Sequence, residues 1–246
     1  MVHDCMITKN YVIVMDLPVI FDPTVATAGF KLPYKWHPEY GARIGLLLRE
    51  GSSNQISWHE VEPCYVFHPM NGFEDQFGRV VLDVIRHDKM FSTDMLGPSD
   101  GHTTLDRWII DPKKTQIIEK RLDDKQQEFP RVDDRRVGQP YRYGYTVDLP
   151  EFEEITGLRQ YDLKKGSIET HSQAGYRVFM EPVFVPRSKD ADENDGWVLA
   201  YVYDRRENLS DVVILEASNI SAAPVATIKL PQRVPYGFHA NWIPES

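Results

Sequence analysis

The feature that most constrains this chain is a strand–turn–strand unit that comes back at long, similar intervals. Thr104 to Asp111 (TLDRWIID) is followed by Pro112-Lys113-Lys114 and then Thr115 to Leu122 (TQIIEKRL). Gly157 to Asp162 leads through Leu163-Lys164-Lys165-Gly166 into Ser167 to His171, and Asp211 to Ala217 leads through Ser218 to Ala223 into Pro224 to Leu230. Each turn is built of residues that end strands, while the flanking runs are β-branched and apolar. Further apolar strands, Tyr141 to Val147 and Trp197 to Asp204, fall between the hairpins. Hairpins recurring at roughly 45–50 residues are the pattern of β-propeller blades. At about 50 residues per blade the chain holds about five blades, in a single domain over residues 1–246. A β-sandwich would space its strands more evenly. No long amphipathic helix is evident, so the fold class expected is all-β.

Earlier in the chain, Asn10 to Asp16 (NYVIVMD), Arg43 to Arg49 and Arg79 to His87 read as strands. Gly51 to Asn54 reads as a turn. Trp58 to Phe67 reads as a strand-like run leading to His68, and Phe21 to Pro38, Met70 to Gly78 and Lys89 to Gly101 read as loops. Hydrophobic residues make up 41% of the chain, with 12 Tyr, 11 Phe and 5 Trp, enough to fill a sizeable core. The net charge of -9 is spread along the chain without a basic stripe, which argues against nucleic acid as a partner. Cys5 and Cys64 sit inside strand-like runs and read as reduced thiols of a cytoplasmic protein rather than a disulfide. No apolar run approaches the length of a membrane span, and no signal peptide is evident.

Three histidines have similar surroundings. His239 lies in the terminal stretch VPYGFHANWIP, His3 in MVHDCMITKNYVIVMD and His68 in EPCYVFHPMNGFED. Each follows an aliphatic or aromatic residue: Val2, Phe67 or Phe238. All three read as buried strand ends, and the terminal stretch reads as a last strand tied into the core. Their separations of 65 and 171 residues exclude a local zinc finger, so any shared site has to be assembled by the fold. Imidazole suits iron, zinc, copper or nickel, and a ligating imidazole needs a carboxylate or carbonyl behind its other ring nitrogen. Glu128 in QEFPRVDDRR and Glu181 in VFMEPVFVPR stand in apolar, proline-flanked places, where a buried carboxylate needs a partner.

The stretches VHDCMITKNYVIVMD, EPCYVFHPMNGFED, EFPRVDDRRVGQPYRYGY, EPVFVPR with DGWVLAYVYD behind it, and VPYGFHANWIP resemble the carotenoid cleavage oxygenase family. That family includes apocarotenoid oxygenases and lignostilbene dioxygenases. The resemblance runs from Met1 to Pro244. It implies part of a seven-bladed β-propeller with Fe(II) on its axis, held by four histidines, three of them backed by glutamates. By match, His3, His68 and His239 would be the second, third and fourth ligands. Glu128 and Glu181 would stand behind His68 and His239 in that order. The implied reaction is oxidative cleavage of a carbon–carbon double bond of a carotenoid, apocarotenoid or stilbenoid by O2, giving two carbonyl products. An apolar substrate implies an aromatic tunnel, with Phe67, Phe73, Tyr143, Phe238 and Trp242 as candidates, and leaves room for peripheral membrane contact.

The family's first histidine has no counterpart here, nor has the glutamate expected behind His3. His37-Pro38 looks like the missing His-Pro stretch but follows the second ligand instead of preceding it. The expectation is therefore a fragment lacking N-terminal blades, impaired unless an upstream segment or a partner chain supplies the remaining ligand. The rivals are a non-catalytic propeller module and a three-histidine zinc site. Among other signals, Asp190 to Gly196 mimics a calcium loop but lacks its glycine and glutamate positions and reads as a solvated hairpin loop. His59, His87, His102 and His171 read as surface residues. Arg131, Arg135 and Arg136 beside Asp133 and Asp134 read as surface pairs of little energetic weight.

Overall fold

The computed structural model describes residues 1–29, 32–94, 100–149, 157–173 and 175–244. The chain divides into two compact units, one of residues 1–125 with 138–140 and the other of residues 126–137 with 141–246. Every strand pair described is antiparallel.

The first unit contains two four-stranded sheets. One has the order β1-β2-β5-β6, from β1 (Cys5–Ile7), β2 (Tyr11–Asp16), β5 (Ala42–Leu48) and β6 (Ser57–Val61). The long β2–β5 connection carries a two-stranded ribbon of β3 (Val19–Phe21) and β4 (Tyr34–Trp36), with the one-turn helix α1 (Pro23–Thr27) between them. Asp22 caps that helix by accepting from the Thr24 backbone N–H, and proline takes its first position. The other sheet is a simple meander of β7 (Pro69–Glu74), β8 (Val80–His87), β9 (Thr103–Ile110) and β10 (Ile117–Asp123).

The second unit repeats the plan. The strands β11 (Gln127–Val132), β12 (Tyr143–Asp148), β13 (Gly157–Asp162) and β14 (Ser167–Ser172) form one meander. The last sheet has the order β15-β17-β18-β19, from β15 (Arg177–Phe179), β17 (Gly196–Asp204), β18 (Leu209–Glu216) and β19 (Ala226–Lys229), with β16 (Val183–Pro186) also paired to β17. The chain expected to hold about five blades thus shows, among the described residues, four blade-sized sheets and one small ribbon. Four-stranded antiparallel meanders are what a blade is.

The hairpin turns share one device. A strand-ending aspartate accepts backbone N–H groups of the turn, which closes a few residues later on a residue in the left-handed region. Asp162 accepts from Lys164 and Lys165 before Gly166 (φ 68°), and Asp204 accepts from Arg206 and Glu207 before Asn208 (φ 53°). Asp75 does the same for Phe77 and Arg79 around Gly78. Such local bonds hold turn backbone that would otherwise compete for ladder positions.

Each unit has its own core. In the first, Ile13, Ile44, Leu46, Tyr65, Leu82, Val84 and Trp108 are buried together. In the second, Tyr145, Val147, Phe179, Val202, Val213 and Leu215 are. Burying each such side chain contributes about 1.5–3 kcal/mol. The strand β8 is covered on both faces, and its buried carboxylate, Asp83, receives a two-point contact from Arg107 at 2.7 and 2.8 Å.

Several expectations need correcting. In the stretch Met70 to Gly78, expected as loop, residues 70–74 belong to strand β7 (Pro69–Glu74). The strand in the Trp58 run ends at Val61, because Pro63 interrupts it. His59, His87 and His171 are buried rather than superficial; His171 Nδ1 lies 2.9 Å from the Ile220 carbonyl. The Asp190–Gly196 loop does join two strands, but it is not simply solvated. Glu193 accepts from the Arg142 and Tyr143 backbone N–H groups, and Asn194 accepts from the Tyr145 hydroxyl and Gln160. The Lys89–Gly101 excursion lies partly outside the described residues.

Candidate metal centre

In the first unit two of the candidate histidines meet. His3 precedes β1, and His68 precedes β7 by one residue. Their ring centroids are 5.2 Å apart with planes at 80°. Two imidazoles bound to one ion at about 2.1 Å put their ring centres roughly 5 Å apart, so the pair fits a shared metal. The main chain around His68 is well bonded. The His68 carbonyl accepts from the Ile85 N–H at 3.2 Å, and Tyr65 exchanges two backbone bonds with His87 at 2.9 and 2.8 Å. Phe67 packs edge-on against His3 at 5.0 Å, Tyr65 at 4.8 Å and His87 at 5.2 Å. His3 itself is exposed, not buried. Nearby, burial pushes the Cys64 thiol up to about 12, which keeps it protonated.

In the second unit His239 has a carboxylate behind it. Glu181 Oε1 lies 3.1 Å from His239 Nδ1, and Glu181 Oε2 accepts from the Ala240 N–H at 2.7 Å. A carboxylate at Nδ1 fixes the proton there and makes Nε2 the lone-pair nitrogen, the arrangement found behind metal-bound imidazoles. Glu181 is buried, as its apolar sequence setting requires, but His239 is not: its side chain is 53% exposed. The terminal stretch is also not a strand. Residues 231–244 form no strand or helix, and Phe238 and Trp242 are exposed. The physical reason is that Pro235 cannot donate to a ladder, so side chains hold the segment instead. Ser210 Oγ accepts from Val234 N–H, Tyr236 packs edge-on against Tyr203 at 5.4 Å, and Arg131 reaches the residues after His239.

Sequence reasoning missed Arg131. It was expected to form a surface pair, but its side chain is 17% exposed and bonds Glu181 Oε2 at 2.9 Å and the Ala240 carbonyl at 2.8 Å. The only sequence signal for it is its place in EFPRVDD. Asp133 is likewise buried, in a tight pair with Arg135.

Glu128 is buried too, and one of its oxygens accepts from the Phe129 N–H at 2.5 Å. It stands on a β-bulge. The register steps from Glu128↔Val147 to Arg131↔Tyr145, and Phe129 takes a φ of 52°, a value uncommon outside glycine and asparagine. Bulges of this kind re-aim side chains and gather near functional sites.

The candidate tunnel residues are scattered. Phe67 packs against His3. Phe238 lies 6.4 Å from Phe129, whose ring is 6.2 Å from His239. Phe73, on β7, faces Arg107 at 6.0 Å, and Tyr143, on β12, faces Arg142 at 4.8 Å. Trp242 lines a 660 Å³ groove with Trp197, Leu199, Val212 and Ile214 on the outer face of the last sheet. His37 lies 3.5 Å from Asp22 and 3.0 Å from Glu39. Among the described residues, no group of three or more His, Cys, Asp or Glu side chains is gathered as a metal site within hand. Among the described residues, no helix is long and apolar enough to cross a membrane.

Comparison with known proteins gives a consistent result. The family model described as Retinal pigment epithelial membrane protein matches residues 1–244. The carotenoid cleavage oxygenase of Mycobacterium tuberculosis is 34% identical, over 99% of this chain and 58% of that protein. The apocarotenoid-15,15'-oxygenase of Synechocystis is 32% identical, over 98% of this chain and 51% of that protein. Among solved structures, the cobalt-substituted Synechocystis apocarotenoid oxygenase superposes with a TM-score of 0.88 at 30% identity, covering 97% of this chain and 52% of that one. The lignostilbene dioxygenase of Pseudomonas brassicacearum gives 0.90 at 26% identity, covering 100% and 55%. The chain spans about half the length of the curated relatives it matches. With its antiparallel blade-sized sheets and a family match over nearly its whole length, this chain belongs to the retinal pigment epithelial membrane protein family of carotenoid cleavage oxygenases and carries part of their β-propeller.

Proposed function

We propose that this chain supplies the C-terminal part of an Fe(II)-dependent dioxygenase acting on an apolar polyene or stilbenoid. In this reading His3, His68 and His239 serve one ferrous ion, Glu181 orients His239, Glu128 backs His68, and the two units belong to one incomplete propeller. A further ligand comes from an upstream segment or a partner chain. The observation that carries the reading is the pair of half-sites: imidazoles 5.2 Å apart in one unit and a carboxylate-backed imidazole in the other. Neutral nitrogen ligands without a thiolate suit ferrous iron.

When bound, the iron would supply O2 activation, and the net change is one alkene and one O2 to two carbonyl compounds. The chain's residues have plainer tasks. Glu181 holds the proton on His239 Nδ1 and so presents Nε2. The main-chain bonds beside His68 fix its backbone, and Phe67 packs edge-on against His3. Phe67, Phe73, Tyr143, Phe238 and Trp242 are proposed to meet the hydrocarbon part of the substrate, whose apolar character also suits peripheral contact with a membrane. A zinc-binding or non-catalytic module is the rival.

Anaerobic loading with Fe(II), followed by metal analysis and product detection with an apocarotenoid and a stilbene, tests this. The expected result is one iron per chain when the N-terminal half of a longer relative is supplied, with aldehyde or ketone products. Zinc retained in preference to iron, or no metal under either condition, would overturn it.

A further inference from the structure

We propose that Arg131 is a positioning residue for His239, acting through Glu181. Its guanidinium and the Glu181 carboxylate together enclose Ala240, the residue that follows the histidine. Arg131 Nη1 donates to Glu181 Oε2 at 2.9 Å and to the Ala240 carbonyl at 2.8 Å. Glu181 Oε2 in turn accepts from the Ala240 N–H at 2.7 Å, while its Oε1 faces His239 Nδ1 at 3.1 Å. Ala240 is therefore gripped at its N–H by the carboxylate and at its C=O by the arginine, which fixes two successive peptide groups after the histidine. Arg131 Nη2 adds contacts to Asn241 Oδ1 at 3.2 Å and Asp134 Oδ1 at 3.3 Å.

This grip matters because His239 lies outside every described strand. It sits on an irregular segment, with a half-exposed ring. An imidazole in that setting would rotate and exchange tautomers freely. The buried Glu181 removes that freedom only if the carboxylate itself is held, and Arg131 is the cation that holds it. A lysine cannot replace it, since one ammonium lacks the planar fork that serves a carboxylate, a carbonyl and an amide together.

The bulge explains how Arg131 gets there. Side chains alternate along a strand, so residues three apart point to opposite faces. The extra residue at Phe129–Pro130 leaves Glu128 and Arg131 opposite Val147 and Tyr145, two positions apart on the partner strand. Glu128 and Arg131 are thereby brought to one face. The strained φ of Phe129 is thus tied to the placement of two charged groups.

The functional weight of this proposal rests on His239 being a ligand; its geometric content does not. The test uses the 246-residue chain with 15N-labelled histidine, comparing Arg131→Met and Arg131→Lys with Arg177→Met. Arg177 bridges Asp204 and Asp211 in the same unit and controls for loss of a structural ion pair. Long-range 1H–15N correlation reads the His239 tautomer, hydrogen exchange reads the Ala240 amide, and Co(II) titration reads metal affinity. In folded Arg131→Met the fixed Nδ1–H tautomer is expected to be lost, amide exchange to rise, and Co(II) binding to weaken by about tenfold or more. Arg131→Lys should fall between, and Arg177→Met should leave the tautomer unchanged. If Arg131→Met does not fold, Arg131→Lys decides.

A wild-type tautomer and wild-type exchange in the folded Arg131 variant would overturn the proposal, as would equal changes in Arg177→Met. If the wild-type chain takes up no Co(II) while its tautomer still depends on Arg131, the metal reading fails and the positioning role stands. If Co(II) binds tightly and the tautomer ignores Arg131, the reverse holds.

Discussion

The surroundings of His68 and of His239 show two ways of fixing the same side chain. His68 leads straight into β7 and sits among main-chain bonds and packed rings that belong to the core of the first unit. His239 lies on a segment with no ladder bonds, and its position comes from a chain of charged contacts through Glu181 and Arg131. The first arrangement is a by-product of burial and tolerates loss of a single polar contact. The second is a short polar network, and such networks weaken as a whole when one member is removed.

Direct removal of the imidazoles is the harshest test of this contrast. His68→Ala and His239→Ala are each expected to abolish iron retention in the iron-loaded protein, measured by metal analysis after gel filtration; full iron in either variant breaks the site assignment. A finer contrast comes from the supports. Glu181→Gln should lower metal affinity by about 10–100-fold, and it should also lower the unfolding midpoint because it leaves the Arg131 guanidinium without its buried carboxylate. Leu82→Ala, a cavity in the core of the first unit, should cost about 2–5 kcal/mol in denaturant unfolding while leaving exchange at Ala240 unaltered. Faster exchange at Ala240 in that variant would show that the two supports are not separate.

The smallest effect expected is on pH dependence. Burial lowers the His59 and His171 imidazoles, one in each unit, from their ordinary value of 6.5. A base lowered on folding binds fewer protons in the native state, so its contribution is present above about 6.5 and declines as pH falls toward the folded value. Stability should therefore fall modestly below about pH 6.5. The Arg142 hydrogen bond holds the Asp162 carboxyl down at about 2, so its contribution persists to lower pH and is lost between 3.8 and about 2. Replacing His171 by Gln should flatten the upper part of the profile; an unchanged profile would remove His171 from the account.

Much of the local structure was legible. The runs at Asn10 to Asp16, Arg79 to His87 and Trp197 to Asp204 became β2, β8 and β17 within a residue or so, because their apolar and β-branched patterns leave few alternatives. Burial of Glu128 and Glu181 was also readable from their apolar flanks. The misreadings share a cause. Met70 to Gly78 looked like a loop because Pro69, Asn71 and Gly72 are poor strand formers, yet a neighbouring strand supplies the ladder. His59, His87 and His171 looked superficial because local polarity says nothing of what packs over a sheet.

The sequence by itself determined the hairpins, the aspartates that close their turns, the all-β class and the family, since each of these is written in short runs and motifs. Only the tertiary structure decided that His239 stands on an exposed, strandless segment and that Arg131 grips Glu181 and Ala240. Those contacts join residues 50 to 109 positions apart. Side-chain periodicity repeats over a few residues and cannot specify partners at such distances; a one-residue bulge and the packing of whole sheets do.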